Sequence, residues 1–564
     1  ASGSATSTGS FGRVVSADGV FEGAGSKKLI IDSNSVISLS NNDSGLNSTI
    51  FGKSAGNNVT GDRNTFFGNL AGHTNSSGDD NTYIGASAGQ ANTGTGDDNT
   101  FVGSHSGYQL TGGSSNTAVG RSSLTAITSA TGNVAVGYQA GDSITTSGEN
   151  TFVGYEAGAA LTGGSGLNIA MGYQPLYLGT GNSGAIAIGT RAGYNSQASN
   201  NVYVGASSGR ENRAGISQVY IGASAGYYAT GSYNTFVGQD AGKGGTTSAP
   251  FSSGENNTAL GYQALVGFTT ATRMVAIGYE SMHNVTTGAD SVAIGYQAAY
   301  YDVGTESVSI GSYAGMANGA GSNVSIGFRA GSTSTGGSNT AIGASAIRYL
   351  NAGNENTAIG NTAGSYLLGT QTTIVGSQAG RFATGSYNTF MGYKAGYGGT
   401  TSAPFSSGTS NTAIGYEALT AFTTGKWNVA VGRGAGDSIT TSQGNVLLGY
   451  YAGSQVTTGI GNTIIGEQAG SAHADSGYNT IIGYRTSANG TSGGGSNNAI
   501  VGAQAGGQQG TMTGGNNSIL GYGAMAYATS TSGNISIGWE SGKRLLTGDY
   551  NIFMGYSAGG TTTD

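Results

Sequence analysis

"YNTFVGQDAGKGGTTSAPFSSGENNTALGYQAL" occupies residues 233–265, and "YNTFMGYKAGYGGTTSAPFSSGTSNTAIGYEAL" occupies residues 387–419, an offset of 154 residues. Each copy opens and closes on the same unit, an Asn, a short apolar triplet, a glycine and a small residue three positions on. "NTFFGNLAG" (64–72), "NVAVGYQAG" (133–141), "NTFVGYEAG" (150–158) and "NTIIGEQAG" (462–470) repeat it elsewhere. Anchored on the glycine after the triplet, the unit recurs 30 times from Gly52 to Gly555, mostly at spacings of 16 or 17 residues. Two spacings are 23, Gly238 to Gly261 and Gly392 to Gly415. The nine spacings from Gly238 to Gly392 sum to 154, so a block of nine coils is duplicated and the two long coils are one coil copied. A second echo, "NVAVGYQAGDSITTSGEN" (133–150) against "NVAVGRGAGDSITTSQGN" (428–445), also points to shuffled blocks.

This period is too short for helical repeats, which need more than about 30 residues per unit. It suits one coil of an all-β parallel β-roll or β-solenoid of about 30 coils. The positions one and three before the anchor are mostly Val, Ile or Thr, as in Val134/Val136 and Val292/Ile294. Such β-branched pairs flank one residue that points the other way, and we expect the Val/Ile/Thr stripe to face inward as the core. The anchor glycine permits a turn or a close backbone approach. Asn stands four before the anchor in 23 of 30 coils and should stack into a ladder. At the usual strand spacing of about 4.8 Å, 30 coils give a rod of roughly 140 Å. Residues 1–46 lack the repeat and read as an N-terminal arm and cap or attachment segment, with "SKKLIIDSNSVISLS" (26–40) as two short strands. Residues 47–564 form the repeat shaft, with long-loop coils at 239–260 and 393–414.

Composition narrows function. Of 564 residues, 108 are Gly, 3 are Pro and none is Cys, and only 8% are charged. Zero Cys excludes disulfides and thiolate metal sites. A net charge of −7 with no basic run leaves no footprint for nucleic acid, and no apolar run reaches the roughly 20 residues of a membrane helix. No phosphate loop or catalytic triad motif occurs, so we expect neither an enzyme nor a bound cofactor. The four histidines (His73, His105, His283, His473) fall at unrelated phases and read as surface turn residues. Asp79, Asp80, Asp97 and Asp98, in two "GDDN" turns, are weak Ca²⁺ candidates, and solvated turn acids are the better reading. Tyr138, Tyr155, Tyr262, Tyr279, Tyr296, Tyr393 and Tyr416 follow anchors. They read as a packing ladder first and a glycan-binding stripe second. The candidate binding residues are Pro250, Phe251, Pro404 and Phe405, on the two long loops, where aromatics either protrude for contact or tuck back as plugs.

The N-T-A-I-G-Y-x-A-G run, with "KKLIIDSNSVISLS" before it, resembles two groups. One is the heads of trimeric autotransporter adhesins. The other is the shafts of phage tail-fibre proteins that carry an intramolecular chaperone at the C-terminus. The resemblance covers about residues 26–558. It implies a homotrimeric β-roll shaft, extracellular or on a virion surface, that presents loops to a host glycan or receptor. The chain departs from these families in its longer period and in lacking the chaperone with its self-cleaving serine, so an end at Asp564 fits a matured product. Two other readings remain open from sequence: a subunit of a self-assembling cellular filament, adding head to tail, and an ice-binding solenoid.

Overall fold

In the computed structural model, residues 19–22, 28–31, 35–39 and 47–560 are described, apart from residues 58, 250, 302–303, 318, 350–352, 403–404, 472, 489–494 and 509–511. The described residues form 33 strands and no helix. β1 (Gly19–Glu22) pairs antiparallel with β2 (Lys28–Ile31). β3 (Ser35–Leu39) pairs antiparallel with β4 (Thr49–Lys53), laying a reversed strand on the first coil. From β4 onward the chain is a β-solenoid, one short strand per coil. It divides into two compact units, residues 1–263 with 267–270, and residues 264–266 with 271–564. The first holds β4 to β16 (Thr258–Leu260) and the second β17 (Val275–Ile277) to β33 (Ile552–Met554). Within each unit every strand pairs in parallel, in register, with the strand of the next coil; Thr65 lies beside Thr82 and Val292 beside Val308.

Numbering each coil from its anchor glycine at 0 shows why the sequence closes this way. The anchor sits at φ between about +119° and +143°, a region that L side chains rarely adopt. A Cβ on it would also strike the carbonyl of the next anchor in the stack, as Gly85 would strike that of Gly103 at 2.6 Å. Further left-handed corners follow at +2 and +4 and precede the Asn at −5, as at Gln139 (φ 51°), Gly141 (φ 62°) and Glu149 (φ 58°). Position −4 then secures the stack. The Asn116 backbone N–H and Nδ2 both donate to Asn99 Oδ1, each at 3.0 Å, and Nδ2 also donates to the Ala130 carbonyl at 2.8 Å. Asn116 Oδ1 in turn accepts from Asn133. These side chains are fully buried, so each satisfies polar backbone groups that water does not reach.

The expected inward Val/Ile/Thr stripe is reversed. The residue between them, at −2, is the buried one, as the strand patterns of Thr65–Phe67, Thr82–Ile84 and Val134–Val136 show. The reason is volume. The turn residues at +3, +4 and +7 also aim inward, leaving room for one side chain from the strand. Positions −2 and +4 trade size. Wherever −2 is aromatic, +4 is glycine: Phe66 with Gly72, Tyr83 with Gly89, Phe152 with Gly158. A Cβ at Gly89 would lie 2.6 Å from the Tyr83 ring. Where +4 carries Leu, Met or Ile, −2 shrinks to Ala in every coil but one, as in Ala118 with Leu124, Ala276 with Met282 and Ala413 with Leu419; the exception is Ile519 with Met525. Position +7 joins the exchange. Gly245 and Gly399 stand at +7 below Phe236 and Phe390, and Phe268 and Phe422 fill +7 where −2 is Ala259 and Ala413. Tyr83 and Tyr203 bring a hydroxyl into the core, and Asn92 and Asn212 at +7 donate to it at 2.9 and 2.7 Å.

Replacing Asn116 by Ala removes its Nδ2 donor and orphans the Ala130 carbonyl; a loss of about 1–3 kcal/mol is expected, measured by denaturant unfolding. Gly89→Ala should cost about 2–4 kcal/mol, since it combines a left-handed φ with a clash against Tyr83, whereas Gly89→Ala combined with Tyr83→Ala should recover part of the loss. Equal stability of the two variants would contradict the size exchange.

Candidate functional site

Reversal of the strand leaves its apolar flanks outside. Position −1 is apolar in all 30 coils and position −3 carries no charge in any. Phe67 is 53% exposed, Ile188 39%, Met391 45% and Leu520 50%. Each three-residue strand covers about 10 Å by 4.8 Å of this face, so the coils of the first unit present on the order of 600 Å² and those of the second on the order of 800 Å². Soluble monomers seldom expose apolar patches beyond about 300–600 Å².

The tyrosines at +1 border this face. Tyr138, Tyr155 and Tyr173 stack with ring centroids 5.2 Å apart, as do Tyr279 with Tyr296 and Tyr393 with Tyr416. They form ladders, and rings such as Tyr155 and Tyr279 stay 44% exposed. The in-register pairing sets the spacing, because the same position in neighbouring coils lies one strand apart.

Pro250 and Pro404 lie outside the described residues. Phe251 and Phe405 are half-buried and lie against the coil, the tucked arrangement of the two considered. Phe251 stacks on Tyr228 at 5.8 Å under the Arg213 guanidinium at 5.3 Å. Phe405 packs on Tyr366 at 4.7 Å and Phe382 at 5.8 Å. Both long loops rejoin the coil through the same bonds: Thr246 Oγ1 with Ser252 Oγ at 3.0 Å, and Thr400 Oγ1 with Ser406 Oγ at 3.1 Å. The duplicated block therefore repeats an anchored aromatic cluster, one in each unit.

Three of the four turn acids are engaged with the protein through their carboxylates. Asp79 accepts the Asp62 N–H at 2.6 Å, and Asp97 accepts the Asp79 N–H at 2.8 Å. Asp80 receives both Nε and Nη2 of Arg63, at 2.7 and 2.8 Å, and those hydrogen bonds hold its carboxyl below the usual range. Asp98 is exposed at a left-handed corner. Among the described residues no three His, Cys, Asp or Glu side chains converge as metal ligands.

One histidine differs from the surface reading. His473 occupies +7, a core position, and is 1% exposed. Its ring nitrogens lie 2.9 Å from Ser476 Oγ and 2.7 Å from Ser487 Oγ. Sequence reasoning also passed over Asp142 and Asp437, which stand at +5 in the two echoed blocks. Burial pushes both carboxyls up, Asp437 to about 6. The register of their anchors was the available signal for all three. No family model and no curated protein matches the chain.

Burial lowers the His473 imidazole to about 4 from an ordinary 6.5. The unfolded chain takes up this proton first, so its contribution is full above pH 6.5 and is lost as pH falls toward 4. Asp142 and Asp437, whose raised carboxyls act with the opposite sign, are common to both chains, so the melting temperature of the wild type should fall relative to that of His473→Leu as pH falls across that window; a constant difference would contradict a neutral buried imidazole.

Proposed function

We propose that the chain is a non-enzymatic fibrous structural protein, a shaft that associates with copies of itself through the outer sheet face and presents its remaining surface for binding. The row at −1, apolar in every coil of each unit, carries this reading. Roughly 800 Å² on the second unit alone matches the approximately 800 Å² per partner of an ordinary stable interface. A second copy is its natural occupant. Both faces would be flat, in register and uncharged, and parallel sheets are ordinarily covered on both sides. The tyrosine ladders at its border would contribute the aromatic contacts common in interfaces. Three copies around one axis follow from the resemblance to adhesin heads and tail-fibre shafts, as does a place outside the cell or on a virion surface. The coil chemistry agrees with a structural role. Asn, Gly and the inward residues are all committed to stacking, and the duplicated block repeats the same coils without adding a new cluster of reactive groups.

Light scattering of the intact chain should give three times the chain mass. Ile188→Glu together with Ile221→Glu places charges on two exposed positions of that face. Exposed substitutions change monomer stability by only about 0.5 kcal/mol, so the double variant should keep the strand signature in circular dichroism while its mass falls to one chain. A wild-type monomer, or a variant that keeps its mass, would overturn the proposal.

A further inference from the structure

Position +2 is a half-buried corner in most coils and almost always carries a side chain. Only Gly434 and Gly523 lack one. At Gly434 the Tyr451 ring fills the space, but at Gly523 a Cβ would meet nothing nearer than Glu540 Cγ at 3.4 Å. Alanines at +5, Ala488 and Ala526, keep the adjoining row low. The outcome is a groove of about 470 Å³ in the second unit, within the usual range of about 300–1,000 Å³ for small-molecule sites.

The walls are polar and positioned. Arg485 Nε donates to Gln468 Oε1 at 2.9 Å, which orients the guanidinium, and Nη1 and Nη2 make no hydrogen bond to the described residues. On the other wall Tyr522 donates to Gln504 Oε1 at 3.0 Å, and Lys543 pairs with Glu540 at 2.6 Å. The half-buried Tyr527 ring supplies an apolar flank. The lining carries two cations, Arg485 and Lys543, and one carboxylate, Glu540. That leaves +1 in a chain of net charge −7.

We propose that this groove binds an acidic oligosaccharide. A free guanidinium fork matches a carboxylate in two parallel hydrogen bonds. Amides, a carboxylate and phenols around it both donate and accept, as a ring of hydroxyls requires, and an aromatic ring suits the apolar face of a sugar. The carboxylate of a hexuronate seats on Arg485, its hydroxyls meet Gln468, Gln504 and Glu540, and one ring rests on Tyr527. The proposal gives a ligand class to the surface-binding part of the proposed function. It does not depend on self-association, because the groove runs from Tyr522 at +1, on the border of the sheet face, outward to Tyr527 at +6 and has no lining residue on the −1 row.

The test is titration calorimetry of the full chain with tetragalacturonate, and with maltotetraose as the neutral counterpart. Gly523→Gln is the decisive variant. Gln occupies the same corner at Gln174, Gln297 and Gln468 with φ of 50–53°, close to the 58° of Gly523 itself, so the fold should be retained while the groove is filled. Saturable tetragalacturonate binding is expected, weakened at least tenfold by Gly523→Gln and by Arg485→Ala, with native mass and melting temperature unchanged. No binding of tetragalacturonate, equal binding of maltotetraose, or binding indifferent to Gly523→Gln would each overturn the proposal. A loss of native mass in the wild-type chain would bear on the sheet-face reading alone.

Discussion

Every position of a coil stands directly over its equivalent in the next, one strand spacing away. That in-register stack is the constraint from which the other features follow. Polar groups that stack must satisfy one another, and an Asn does so because it both donates and accepts; the row from Asn99 through Asn116 to Asn133 links side chain to backbone at each step. Aromatic rings tolerate the spacing and form ladders. Like charges about 5 Å apart do not, which accounts for a chain with only 8% charged residues. Some rows pair opposite charges, as Arg63 with Asp80 and Arg273 with Asp290 at −5, and where acids stack, as Asp62, Asp79 and Asp97 do at −6, the later carboxylates accept the backbone N–H of the acid before them. Glycine at the anchor answers the same constraint, since the backbones of successive anchors leave no room for a Cβ.

The period, the strands and the Asn ladder were legible in the sequence because each depends on residue type at a fixed phase. The direction of the strand was not. Val and Ile flanking a small residue, as in Val134-Ala135-Val136, look like an inward pair, and burial preferences alone favour that reading. The decisive signal was a pairwise one: aromatic at −2 only with glycine at +4. Tyr83 with Gly89 and Phe236 with Gly242 carry it, and so does the reverse exchange at Ala118 and Leu124. A side chain that varies from Ala to Tyr while its neighbour compensates is inside; a row that is always apolar but never compensated, as −1 is, faces a surface.

The candidate site divides in the same way. Phe251 and Phe405 were legible as a duplicated feature, yet their tucking depends on Tyr228, Tyr366 and Phe382, residues from other coils that no local pattern joins to them. His473 was misread as a turn residue since a lone His carries no periodic mark; its phase, seven after Gly466, places it among Leu and Phe of other coils. The groove at Gly523 arises from one missing side chain in a row of long ones, an absence visible only once the row is known. A coil so uniform makes function a matter of departures from the repeat, and of the one face that the repeat leaves apolar.

In the proposed assembly that face is covered by other copies of the chain. The sequence contains no cysteine, so a single spin label at Val136→Cys reports on one position without background. Sheets that pack face to face lie about 10 Å apart; labels on neighbouring copies should therefore show strong dipolar broadening that vanishes on dilution with unlabelled chain before refolding. Sharp, mobile spectra with no dipolar coupling at any dilution would contradict it.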